Sequence, residues 1–193
     1  MDKVWIGIDN GVTGSVGIIK PNGEYLYVPT PVKKCLKYTK EKQNITRVVG
    51  IDLLRLLREH IGNNNAFIAL ERPMVNPTRF KASSSALRCH EATLIILEQL
   101  GLSYEFFDSK IWQKEMLPKI VMPRIVIPKE ATLIEKSKLK SQRKIQNTNI
   151  KKQTKISSCE VGKRLFPKVS EMINKQGDAD GILMAEYCRR KGL

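Results

Sequence analysis

The chain has 193 residues, which is enough for one α/β domain with a real core and leaves little room for a second. Lysine and arginine number 34 against 19 aspartates and glutamates, so the net charge is +15 and the pI is near 9.8. This surplus favours a polyanionic partner such as nucleic acid, the alternative being a basic protein without one. A membrane-spanning protein is not expected, because no apolar run reaches the roughly 18 residues needed to cross a bilayer.

Three short apolar runs predict the first strands, at residues 4–8, 15–19 and 24–28. Turn signals separate them, with Asn10-Gly11 after the first strand and Pro21-Asn22-Gly23 after the second. The connections are too short for crossovers, so we expect an antiparallel three-strand meander.

The middle of the chain alternates helix and strand signals. Residues 31–44 are basic and are expected to be irregular, and an apolar stripe predicts a helix over 46–61. Residues 66–70 are apolar throughout, which indicates a central strand. A loop from 72 to about 82 leads to a helix that Ser83 or Ser84 would cap and that ends at Leu100. A fifth strand is predicted at 103–107.

A basic segment follows, beginning with Pro118, Pro123 and Pro128. Nine basic residues against two acids occur between residues 129 and 155, and few residues there could join a core. We expect a mobile or DNA-ordered arm, with a solvated helical hairpin as the alternative. Ordered structure is expected again at residues 157–166, and a last helix is predicted from about 178 to 190. The sequence thus predicts one α/β domain over 1–193 with a basic, mobile insertion at about 118–155. Its core is a mixed sheet of three antiparallel and two parallel strands flanked by helices.

Four carboxylates are expected at the ends of these elements: Asp9, Glu71, Asp178 and Asp180. The three aspartates have ordinary explanations, because aspartate is common in turns and acids favour helix starts. Together the four carboxylates suggest a cluster at one sheet edge, which cations must neutralise. Oxygen ligands suit Mg²⁺, with Mn²⁺ as a substitute, and two ions about 4 Å apart would serve hydrolysis at phosphorus.

Cysteine and histidine residues give no zinc pattern. No C-x-x-C pair occurs, and only two histidines are present. Scattered thiols suit a reducing, cytoplasmic compartment. The first strand pattern begins by Lys3, so we expect no secretion or transit signal before it.

Six segments, in this order, resemble motifs of RuvC-type Holliday junction resolvases. They are GIDNGVTGS at 7–15, ALER at 69–72, SSS at 83–85, WQK at 112–114, SCEVGKRLFP at 158–167 and DGILMAEY at 180–187. The match spans nearly the whole chain except 31–44 and 118–154. There are two departures. Gly177 stands where the bacterial pattern has a second acid, so Asp180 is the safer ligand and Asp178 a substitute. Met74 stands where bacterial members carry a junction-probing aromatic residue, and Phe80 lies further along the same loop.

The resemblance implies a ribonuclease H-like fold, a homodimer and paired cuts in a four-way DNA junction. Asp9, Glu71 and Asp180, with Asp178, would hold two Mg²⁺ ions. The nicks would leave 5′-phosphates. The helix over 84–100 is a candidate dimer interface, although it could equally be core. Phosphate contacts are also expected from the lysines of residues 33–42. The other residues expected to contact DNA are Arg79, Lys81, Ser84, Lys136, Lys138, Lys140, Arg143, Lys144, Lys151 and Lys152.

Two other functions fit parts of this pattern. Actin-like and sugar-kinase ATPases share the Asp-x-Gly-x-Thr loop found at residues 9–13, but they need two such domains and 193 residues hold one. A non-catalytic junction- or RNA-binding protein would share the charge and the fold. A pure binder, however, gains nothing from carboxylates set near phosphates.

Overall fold

A five-stranded mixed sheet forms the centre of the molecule. The computed structural model describes residues 3–38, 40, 42–123 and 125–193. The strands are β1 (Lys3–Ile8), β2 (Ser15–Ile19), β3 (Tyr25–Pro29), β4 (Val32–Leu36), β5 (Asn44–Val48), β6 (Asn65–Glu71) and β7 (Tyr104–Phe107). The main sheet has the order β3-β2-β1-β6-β7, with β1, β2 and β3 antiparallel and β1, β6 and β7 parallel. The predicted α/β class and the five-stranded mixed sheet are confirmed.

Helices cover both faces of this sheet. They are α1 (Gly50–Ile61), α2 (Phe80–Gln99), α3 (Ser109–Met116), α4 (Leu133–Leu165), α5 (Ser170–Gln176) and α6 (Asp180–Lys191), with 3-10 turns at Pro77–Arg79 and Pro167–Val169. Residues of α1 and α2 pack on one face, and residues of α3, α4, α5 and α6 pack on the other. Within the described residues, no helix combines the length and apolar character needed to cross a membrane.

The prediction that residues 31–44 are irregular is wrong for most of that segment. Strands β4 and β5 form an antiparallel hairpin there, and Thr39 and Glu41 lie outside the described residues. The helix predicted from residue 46 begins only at Gly50. Ile45, Thr46 and Val48 explain the difference, because β-branched residues pack well in a paired strand.

The helix after β6 also begins earlier than predicted. It starts at Phe80, so neither Ser83 nor Ser84 caps it. The Ser83 hydroxyl instead donates to the carbonyl oxygen of Asn76 and accepts from its backbone N–H. These bonds tie the loop after β6 back onto α2.

Much of the basic segment after Leu117, expected as a mobile or DNA-ordered arm or as a helical hairpin, is one continuous helix. A single helix, α4, runs for 33 residues from Leu133 to Leu165 and includes most of the predicted arm. Thr132 and Glu135 form a capping box at its start. No proline or glycine interrupts it before Gly162, and its many lysine, glutamine and arginine residues are good helix formers.

Glycines let α6 lie directly against β1 and β2. A Cβ atom on Gly7 would lie 2.6 Å from the backbone nitrogen of Ala185, and one on Gly17 would lie 2.7 Å from the carbonyl carbon of Gly181. On the helix side, a Cβ on Gly181 would lie 2.6 Å from the carbonyl oxygen of Ser15. This close approach brings the start of α6 next to the end of β1.

Candidate functional site

Asp9 and Glu71 lie side by side at the carboxyl edge of the sheet. Strands β1 and β6 are parallel neighbours, and the last residue of β1 pairs with Leu70. Asp9 follows β1 directly, and Glu71 is the last residue of β6. Both side chains line the same cleft. The structure therefore brings these two predicted site residues together.

Asp178 and Asp180 complete the cluster from the opposite side. Oxygen atoms of Asp9, Asp178 and Asp180 all lie within 4.8 Å of one another. Asp180 is the first residue of α6, whereas Asp178 precedes the helix instead of opening it as predicted. Ala179 between them has φ −141° and ψ 9°, which is not helical, so their side chains converge in spite of their unusual spacing.

Hydrogen bonds from hydroxyl groups fix the two aspartates. Ser15 Oγ donates to Asp178 and accepts from the backbone N–H of Gly181 at 3.1 Å. Tyr27 donates its hydroxyl proton to the carbonyl oxygen of Asp178 at 2.6 Å. Ser158 Oγ donates to Asp180. The Asp178 side chain is only 2% exposed, so these bonds replace most of the water that a carboxylate would otherwise bind.

Lys155 reaches into the same cluster from α4. Its ammonium group forms ion pairs with Asp178 and with Asp180, the latter at 3.2 Å. Gly162 lets this helix approach, because a Cβ there would lie 2.6 Å from the Cβ of Ala179. The sequence analysis missed Lys155, because it was counted among the lysines of a surface arm. The repeat of Lys155, Ser158 and Gly162 along one helix face would have been the available signal.

Burial and mutual repulsion raise the pKa values of acids in this cluster. Burial raises the pKa of Asp9 well above its ordinary value, and the charges of Asp178, Glu71 and Asp180 raise it further. Burial also raises the pKa of Glu71, and burial together with Asp178 raises that of Asp180. Burial lowers the pKa of Lys155, but Asp180 and Asp178 raise it by more, so the lysine stays charged. Such a cluster favours added positive charge.

Asp9 and Glu71 open into a cleft of about 890 Å³. Four basic residues line this cleft, two of which were predicted to contact DNA: Arg72, Arg79, Lys110 and Lys151. Met74 lines it as well and is 73% exposed, and Phe80 is 79% exposed at the start of α2. Neither residue is therefore packed into the loop.

The other predicted DNA contacts lie outside the lining of this cleft. Lys81 and Ser84 are on the first two turns of α2, the lysines predicted at 33–42 include Lys33 and Lys34, which are exposed on β4, and the remaining residues are spread along the outer part of α4. Those on α4 are Lys136, Lys138, Lys140, Arg143, Lys144 and Lys152. Lys136 is half-buried and donates to the carbonyl oxygen of Lys129, whereas the others are exposed. The structure therefore gathers the acids into one site but leaves most of the basic residues along a separate surface.

No protein-family model matches this chain, and no curated protein matches it.

Proposed function

We propose that this protein is a metal-dependent endonuclease that cuts branched DNA, with a ribonuclease H-like fold of the RuvC type. The observation that carries the proposal is the convergence of Asp9, Asp178 and Asp180, with Glu71 lining the same cleft as Asp9. These acids come from three distant parts of a chain whose net charge is +15. The strand order β3-β2-β1-β6-β7, with the acids at the ends of β1 and β6, supports the fold assignment.

The donor set fits a hard divalent cation. Among the described residues, the group that could hold a metal offers carboxylate oxygens and no sulfur or imidazole nitrogen. Oxygen ligands of this kind suit Mg²⁺ and Mn²⁺. Asp9 and Glu71 would hold a cation at the floor of the cleft, with Asp180 beside them. When bound, one or two such ions would activate water and neutralise the leaving oxygen during phosphodiester hydrolysis.

The chain's own residues would position the DNA. Arg72, Arg79, Lys110 and Lys151 rim the cleft and would hold the phosphates on either side of the scissile bond. The exposed lysines of α4 would extend this contact along the duplex. Such contacts fix the position of the DNA without reading its sequence, and any DNA form offers them. Selectivity for branched DNA therefore requires a second site on the same substrate.

A homodimer would supply that second site. Each chain has one acidic cluster among its described residues, and a four-way junction requires two opposed cuts. Helix α2 offers exposed apolar side chains, with Leu87 46% and Ile95 54% exposed. Ile96 and Leu97 of the same run are buried against the sheet. The outward face of α2, marked by Leu87 and Ile95, is therefore the proposed contact between copies.

A cleavage assay on matched substrates tests this function. Four-way junction, fork, duplex and RNA–DNA hybrid are each incubated with Mg²⁺ or Mn²⁺, and nicking is followed beside gel-shift affinity. We expect the four-way junction to be cut fastest, with Asp9→Asn binding it normally and not cutting. Asp108→Asn is the matched control, because Asp108 lines the same cleft but pairs with Arg72 at 3.8 Å. Junction binding without cutting in either metal would favour a non-catalytic binding protein.

The two aspartates of the last motif are expected to differ. Asp180 is 14% exposed and lies nearer solvent than Asp178, whose side chain is held by Ser15. We expect Asp180→Asn to reduce cutting more than Asp178→Asn, and Asp178→Asn to lower the melting temperature more. Metal titrations and thermal melts of both variants decide this, and full activity in Asp180→Asn would contradict the assignment.

A further inference from the structure

The acidic cluster is divided into two halves that are neutralised differently. Both oxygens of Asp178 and both oxygens of Asp180 accept hydrogen bonds, from Ser15, Ser158 and twice from Lys155. Asp9 and Glu71 instead line the open cleft. The Lys155 ammonium thus already neutralises the half formed by Asp178 and Asp180, whereas the half formed by Asp9 and Glu71 faces the cleft.

We propose that the Lys155 ammonium is a built-in cation that holds the place of a second metal ion. The DNA-free protein then takes one divalent cation, between Asp9 and Glu71, and Lys155 must withdraw before another can bind at Asp178 and Asp180. This inference rests on the proposed function, because it concerns the same metal site. The reason is electrostatic, since a divalent ion and an ammonium group cannot share the same two carboxylates without strong repulsion.

The position of Lys155 gives it a route out. Its side chain is 44% exposed and is carried by α4, whose outer part lies on the surface. Lys151 is one helical turn away on the same face and lines the cleft. A DNA phosphate bound at Lys151 would therefore offer the Lys155 ammonium another anionic partner. Loading of the second ion would then follow DNA binding.

Counting bound Mn²⁺ in the absence of DNA tests the proposal without relying on cutting. The metal-free full-length chain is titrated with Mn²⁺, and free Mn²⁺ is followed by electron paramagnetic resonance. We expect one tight ion in the wild type and two in Lys155→Met, with the second bound at least tenfold more tightly than in the wild type. Lys152→Met is the control, because Lys152 is an exposed lysine of the same helix, and it should keep one ion.

Two further variants guard against loss of the fold. Lys155→Met leaves two buried carboxylates without their cation, so its folding is checked by circular dichroism with and without Mn²⁺. If it folds only with Mn²⁺, the count is made on Lys155→Gln, which keeps a hydrogen-bond donor but no charge and should also bind two ions. Lys155→Arg keeps the charge and should bind one.

The possible results separate this inference from the proposed function. Two tight ions in the wild type, or one in every uncharged variant at position 155, would overturn the role of Lys155 and leave the nuclease proposal standing. No Mn²⁺ binding by any variant would overturn both. One ion in the wild type and two in the uncharged variants is the result that the proposal requires.

Discussion

Replacing Gly7 by alanine should separate the two halves of the site by pushing α6 off the sheet. A Cβ atom at this position lies 2.6 Å from the backbone nitrogen of Ala185 and closer still to the carbonyl oxygen of Gly181. Both are backbone atoms, so no side-chain rotation can relieve the contact. Restoring an ordinary 3.4 Å separation from Ala185 requires α6 to move by at least about 0.8 Å.

The cost of this movement follows from packing. Overfilling a packed interior costs about 1–3 kcal/mol, and the upper end applies here because backbone meets backbone. For a chain of this size, each kcal/mol lowers the melting temperature by roughly 2–4 °C, so a fall of roughly 6–12 °C is expected. Asp180 adjoins Gly181 at the start of α6, so the same movement shifts its carboxylate away from Asp9. Mn²⁺ affinity should therefore fall in the molecules that remain folded.

Thermal melting and Mn²⁺ titration of the same preparation measure both effects. Gly11→Ala is the matched control, because a Cβ there finds its nearest neighbour, the backbone nitrogen of Gly14, at 3.8 Å. It alters the loop next to Asp9 without forcing any element apart, so it should melt and bind Mn²⁺ like the wild type. If Gly7→Ala also keeps the wild-type melting temperature and Mn²⁺ affinity, the close approach of α6 does not build the site.

Three other perturbations have defined outcomes. Because the pKa of Asp9 is raised, the folded, metal-free protein keeps a proton on this carboxyl at pH values where the unfolded chain has released it. The contribution of this proton to the free energy of unfolding is present at low pH and is lost as pH rises above the ordinary pKa of 3.8. Asp9→Asn should remove that decline and Mn²⁺ should reduce it, and identical pH profiles for wild type and Asp9→Asn in thermal melts would contradict this. Replacing three exposed lysines of α4 by glutamine should lower the slope of log DNA affinity against log salt concentration by about 0.9 per lost contact, at an unchanged melting temperature. An unchanged slope would show that these lysines contact solvent and not DNA. These lysines are Lys140, Lys144 and Lys152. In light scattering, Ile95→Asp should turn a dimer into a monomer, whereas Ile51→Asp, at an equally exposed residue of α1, should not; a dimer that survives Ile95→Asp would exclude this face.

The sheet and its acids were predictable because short-range patterns determine them. Apolar runs at residues 4–8 and 66–70 gave two neighbouring strands, and the residues following those runs are Asp9 and Glu71. Their closeness follows from the parallel pairing of β1 with β6, which places the carboxyl ends of both strands at one edge. The close packing of α6 was less accessible, because it depends on glycines in three elements that meet only in the fold.

The basic segment and Lys155 were not predictable from composition. A polar, lysine-rich segment lacks the apolar stripe that marks a helix packed on a core, and α4 has no such stripe over most of its length. Its capping box and its lack of glycine or proline were the local signals for a helix, and the high charge outweighed them in the interpretation. Lys155 resembles its exposed neighbours in composition, and apart from its spacing to Ser158 and Gly162 only its tertiary contacts with Asp178 and Asp180 distinguish it.

The length of α4 has a consequence for how much DNA the protein would cover. The helix contacts the acids through Lys155 and Ser158, so its part from Lys155 out to Leu133 extends for about 33 Å and carries exposed lysines. At 3.4 Å per base pair, a rod of that length runs beside about ten base pairs of duplex. Because the helix is held at the acidic cluster, it extends from the cleavage site to one side only. Each copy would therefore protect far more DNA on one side of its cut than on the other. A junction with short arms would lose the phosphate contacts along α4 while keeping its branch point.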